Sequence, residues 1–113
     1  MLLVDRIPVS ELITMSNKMS EPLVKGVVDI SNRLLAVDAE MHVDQEQFLL
    51  ERGSKQSDLW GVNIWPEQYG ADGFIEFDSM INIRPWQNNR SRNVEDHALR
   101  EKITTIIIEK VYE

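Results

Sequence analysis

Four stretches between residues 23 and 84 alternate apolar and polar side chains, the pattern of strands with one buried and one solvated face. In 23–31, Val24, Gly26, Val28 and Ile30 face one way and Lys25, Val27 and Asp29 the other. In 34–42, Leu35, Val37, Ala39 and Met41 share a face, and Asp38, Glu40 and His42 share the opposite one. Ser31-Asn32 between them is a turn signal, so the pair predicts a hairpin. A third strand, 59–65, puts Trp60, Val62 and Ile64 on one face and ends at Pro66. The fourth and longest, 74–84, turns Ile75, Phe77, Ile81 and Ile83 inward and Glu76, Asp78, Asn82 and Arg84 outward.

Helical spacing brackets these strands. Residues 7–19 repeat Val9, Leu12, Ile13 and Met19 behind Pro8, and Pro22 stops the run. Residues 44–53 predict a short helix with Asp44 as cap, Gln47 at the capping-box position and Gly53 as stop. A final helix starts near Asn93 or Asp96 and buries Leu99, Ile103, Ile106 and Ile107 on its way to Val111. The expected fold is α+β. One domain, 1–113, holds a four-stranded antiparallel meander with a short helix between strands two and three. The N- and C-terminal helices cover one face and the other face stays wet.

Composition changes little in this picture. The 113 residues are 42% hydrophobic and 27% charged, which suits one globular core. Nineteen acids against twelve bases give a net charge of −7, opposed to a general nucleic-acid binder. No cysteine is present, so disulfides, thiol nucleophiles and cysteine metal sites are excluded. The apolar start, 1–8, is too short for a signal segment, and the C-terminal run Ile103–Val111 is cut by charges. A soluble cytoplasmic protein without a membrane segment is expected.

Two groups of residues carry candidate chemistry. Glu40 and His42 on strand two, with Glu76 and Asp78 on strand four, are carboxylates and an imidazole on the expected wet face. They could hold a divalent ion or work as an acid–base pair. The same alternation is also what any solvated sheet face shows, and in a meander two strand spacings separate the groups. His97, early in the last helix, reads as a surface or capping residue. No Ser-His-Asp order, phosphate loop or HExxH pattern is present.

The second group is an acid-free segment in an acidic chain, Ser79 to Val94. Arg84, Arg90 and Arg92 offer guanidinium forks to phosphate or carboxylate. Trp86 could stack on a base, and Asn88, with its neighbours Gln87 and Asn89, could read base edges or bond backbone groups. Trp65, Tyr69 and Trp86 lie near strand ends, where exposed aromatics would mark an interface between two copies.

The segments "DLWGVNIWPE", "FIEFDSMINIRP" and "NRSRNVEDHALREKI" resemble an uncharacterised family of small bacterial and cyanobacterial proteins, a domain of unknown function. The resemblance runs from about Pro8 to Lys110 and is most specific over Ser79–Pro85 and Asn89–Ser91. At fold level such proteins are similar to the whirly and transcriptional-coactivator regulators that bind single-stranded DNA. That similarity implies a curved four-stranded sheet backed by helix, usually in a homodimer. The expected wet face carries Asp29, Asp38, Glu40, Glu76 and Asp78, where a DNA-binding sheet needs Lys and Arg. The leading expectation is a cofactor-free, non-enzymatic binding module for single-stranded nucleic acid or another anion. An enzyme built on the carboxylate–histidine set and a protein–protein adaptor are the alternatives.

Overall fold

The computed structural model describes all residues, 1–113. The chain is α+β. It forms β1 (Leu2–Leu3), β2 (Ile7–Pro8), α1 (Val9–Ser16), β3 (Val24–Asp29), β4 (Leu34–Val37), α2 (His42–Leu50), β5 (Leu59–Ile64), β6 (Ile75–Glu76), α3 (His97–Lys110) and β7 (Val111–Tyr112). β3, β5 and the two helices at the ends follow the hydrophobic pattern closely.

The sheet has five strands in the order β1-β4-β3-β5-β6, and every pairing in it is antiparallel. The expected meander is therefore corrected. β4 and β5 flank β3, so both run against it and parallel to each other. A chain passing from β4 to β5 must cross over β3, and a helix is the usual way to do so. α2 is that crossover. β1 adds a fifth strand on the outer edge of β4, and β2 pairs in parallel with β7 in a separate two-stranded ribbon.

The crossover also removes the wet face. α1 and α3 cover one side of the sheet, where Leu12, Ile103, Ile106 and Ile107 join Val24, Val28, Leu35, Trp60 and Val62 in the larger core. On the other side Leu49 of α2 closes over Val27, Ala36 and Leu59 in a smaller core. No helix is long and apolar enough to cross a membrane.

Two predicted strands are much shorter than the alternation suggested. β4 stops at Val37 because Asp38 takes a left-handed backbone, φ 65°. Asp38, Glu40 and His42 therefore do not share a strand face, and His42 opens α2 with Met41, not Asp44, at its N-cap. β6 keeps only Ile75 and Glu76. Beyond it the chain breaks into tight turns at Met80–Asn82 and Pro85–Gln87. The inward and outward assignments of that segment are reversed at two key positions, since Asn82 and Arg84 are fully buried. Asp96 caps α3 as expected, accepting from the N–H of Ala98 at 2.9 Å and of Leu99 at 3.3 Å.

Candidate functional site

The acid-free segment folds into an arch that finishes the sheet with side chains. Gly61 of β5 turns its backbone toward the side where β6 has ended. The Asn82 amide takes the place of a strand there: its Oδ1 accepts from Gly61 N–H at 2.8 Å and its Nδ2 donates to Gly61 O at 3.0 Å. Nδ2 also donates to Arg92 O at 3.0 Å. The approach is so close that a Cβ on Gly61 would sit 2.6 Å from Ser79 Cβ.

Asn89 holds the other leg of the arch. Its buried amide donates to the carbonyls of Asn82 and Asn93, both at 2.7 Å, and its Oδ1 accepts from Glu95 N–H at 2.8 Å. Arg84 and Asn89 pair through their backbones, with Asn88 in the left-handed region, φ 60°, at the tip between them. Glu95 accepts from the N–H of Arg90 and Ser91 and from Ser91 Oγ at 2.8–2.9 Å. The Ser91 hydroxyl first, then the Arg90 amide, hold its carboxyl below the usual range despite some desolvation.

Arg84 belongs to the interior. It is 1% exposed, its guanidinium lies 4.0 Å from the centroid of the Trp60 ring, and Nη1 donates to Gln56 O at 2.5 Å. Nε and Nη2 have no partner. Burial lowers its pKa, against the opposing fields of Glu46 and Asp58. Burial likewise raises the pKa of Glu46, opposed by Arg84 and by a hydrogen bond to Gln56. Arg92 forms an ion pair with Asp78 at 2.5 Å. Of the segment's predicted ligand-binding residues, only Trp86, at 73% exposure, Asn88 and Arg90 present side chains to solvent without a salt-bridge partner. Trp65 is half-buried and donates to Glu76 at 3.3 Å, and Tyr69 packs edge-on against Phe74, so the three aromatics do not form one patch.

The carboxylate–histidine set is likewise dispersed. Nowhere do three or more His, Asp or Glu side chains come together in a group able to hold a metal ion. Glu76 accepts from Asn63 Nδ2 at 2.9 Å. His97 pairs with Glu101 on the surface of α3.

What the fold does gather is a cleft at the end of the sheet where β3 begins and β5 ends. Lys25, Asn63 and Glu76 are cross-strand neighbours on the α2 side. α2 covers that side over β3 and β4, and the arch covers it over β5. Between the two covers a strip of sheet stays open. Lys25 and Asn63 form its floor, Met41, His42 and Val43 one wall, and Asp78, Met80 and Arg92 the other, around about 170 Å³. A neighbouring chamber of about 260 Å³ lies between the end of α1 and residues 38–40, and a larger one of about 390 Å³ adjoins it. Lys25 borders all three.

His42 is nearly buried. Nε2 lies 2.7 Å from Val62 O, so it carries the hydrogen and donates, which makes Nδ1 the lone-pair nitrogen. Burial is the main cause that lowers its pKa, partly offset by the Val62 hydrogen bond. The imidazole is thus held neutral in one tautomer. Met41 gives α2 no side-chain cap, so the first amides of the helix carry their partial positive charge toward this end of the cleft.

Sequence reasoning singled out His42 and Asp78 in one set, with Glu40 and Glu76, and Arg92 in another, and it missed Lys25, Asn63 and Lys18. One signal was available: Lys25 is the only basic residue in the strand 23–31.

The five-stranded antiparallel sheet with its crossover helix and side-chain arch thus defines the class of protein, a small α+β fold with an open strip at one end of its main sheet. The chain belongs to the family described as proteins of unknown function, DUF5674, whose model matches residues 1–110. No curated protein and no solved structure matches it.

Proposed function

We propose that this protein is a binding module for a small anionic ligand, and that the ligand sits in the cleft floored by Lys25. The observation that carries this reading is the state of Lys25. The residue is half-buried, borders three cavities, and forms none of the molecule's salt bridges, although acids outnumber bases in the chain. A partly desolvated ammonium with no internal counterion favours an external one. The uncapped start of α2 and Arg92 add to the same field.

The chambers are at or near the lower end of the ~300–1,000 Å³ range of ligand sites, so the ligand is of metabolite size. Exposed Met41, Val43 and Met80 on the rim supply adaptable apolar contact. The leading sequence expectation, anion binding without catalysis, is kept here, but its place moves from the arginine-rich arch to Lys25.

Calorimetric titration with acetate, isocaproate and inorganic phosphate tests the reading. At least one anion should bind, weaken with added salt, and fail to bind Lys25→Met. Equal binding by the wild type and the variant contradicts it.

A second reading, single-stranded nucleic acid on the arch, is favoured by one feature, the exposed Trp86 beside Asn88 and Arg90. Anisotropy of labelled single-stranded DNA and RNA at about 50 mM and about 200 mM salt tests it, since phosphate-driven binding weakens steeply between the two. Salt-sensitive binding lost in Trp86→Ala supports it, and no binding at the lower salt removes it.

A further inference from the structure

We infer that the ligand is a zwitterion with an apolar arm, an α-amino acid with an aliphatic or thioether side chain, an assignment that rests on the reading of Lys25 as the anion contact and seats the rest of the ligand in the neighbouring chamber. The inference comes from the charges around the 260 Å³ chamber between the end of α1 and residues 38–40. Four charged side chains line it: Lys18, Lys25, Asp38 and Glu40. Lys18 and Asp38 satisfy each other at 2.8 Å across the mouth. That leaves one ammonium, Lys25, and one carboxylate, Glu40, and neither has an opposite charge within 4.0 Å.

A pair of free charges of opposite sign beside one cavity complements a ligand that carries both. A simple carboxylate would satisfy Lys25 and leave Glu40 facing its own negative charge. An amine would do the reverse. An amino acid places its carboxylate on Lys25 and its ammonium on Glu40. The remaining wall of the chamber is apolar, made by Met15, Met19, Val24 and Ala39, and it receives the side chain. Two methionines in that wall let it adapt to unbranched and branched arms alike. Glu21, which lines the adjoining 390 Å³ chamber with Glu40, reinforces the preference for a cationic group on that side.

The experiment is calorimetry of the full chain with leucine, methionine, isocaproic acid and isoamylamine, on the wild type, Glu40→Gln and Lys25→Met. Circular dichroism and a thermal melt check each variant for folding. Leucine or methionine should bind about tenfold or more tighter than either half-analogue. Glu40→Gln, an exposed site, should reduce the amino acids to the affinity of isocaproate and leave isocaproate unchanged, while Lys25→Met loses both. If isocaproate binds as tightly as leucine and methionine, and Glu40→Gln changes nothing, the zwitterion inference is overturned and the anion reading stands. Binding of isoamylamine alone, or of none of the four, overturns the zwitterion inference, and the anion reading falls with it only if acetate and inorganic phosphate also fail to bind.

Discussion

The arch over 79–92 and the cleft around Lys25 are both built from polar side chains, and they use them in opposite ways. In the arch, Asn82 and Asn89 spend nearly all their hydrogen-bonding capacity on the backbone of their own chain. Arg84 is buried against Trp60, and Arg92 is paired with Asp78. In the cleft, Lys25 and Glu40 are left without partners while an acidic protein surrounds them. Polar residues that close on one another stabilise a fold. Polar residues held apart beside a cavity are available to something else. The Arg- and Asn-rich composition of the arch thus goes largely into architecture, and under the proposed function the single lysine of β3 marks the site.

Variants can break this contrast, and the largest effects belong in the arch. Asn82→Ala removes three hydrogen bonds and strands the buried N–H and C=O of Gly61. Chemical denaturation should show a loss of about 3 kcal/mol. Gly61→Ala drives a methyl into Ser79 and should cost about 1–3 kcal/mol. Lys25→Met should shift the same unfolding curve by less than about 0.5 kcal/mol, because no internal partner is lost. A loss as large as that of Asn82→Ala would mean that the cleft is structural too.

Acid titration separates two further groups. Asp29 is buried, which alone would raise its pKa, but donors from Ser54, Asn32 and Ser31 outweigh burial and bring it below 3.8. A depressed carboxyl contributes stability that is present above 3.8 and lost as pH falls from there through the folded value. His42 is lowered from 6.5 by burial, so in the window just below 6.5 the unfolded chain binds a proton that the native state refuses. Stability should then decline as pH falls from 6.5 toward the folded pKa, and His42→Gln should flatten that part of the profile. At the start of α3, Asp96→Ala removes a helix cap worth about 1 kcal/mol, a loss that should fall between those of Asn82→Ala and Lys25→Met.

The sequence made the secondary elements of the core legible because their apolar period is strong. β3, β5 and α3 lie within two or three residues of the expected ranges. Strand order was not legible, since alternation says which residues share a face and nothing of which strand lies beside which. The helix at 42–50 was recognised, but its role as a crossover was not, and that role is what covers the second face. The segment 78–84 alternates as well as any strand in the chain. It is not one because Asn82 pairs with Gly61 through its side chain, an arrangement that leaves no trace in a hydrophobic pattern. For the site, Glu40, His42 and Asp78 were singled out as a metal or acid–base set and Arg92 as an anion-binding residue, so the two groups were assigned to different chemistries. Lys25 read as an ordinary solvated position, because the absence of an ion partner is a property of the fold alone.

The most direct measurement is a backbone amide NMR titration of the labelled protein with leucine. Shifts should concentrate at residues 15–19, 24–26 and 38–40 and leave 84–90 unmoved. Shifts centred on 84–90, or spread evenly over the molecule, would contradict the assignment of binding to the cleft and of structure to the arch.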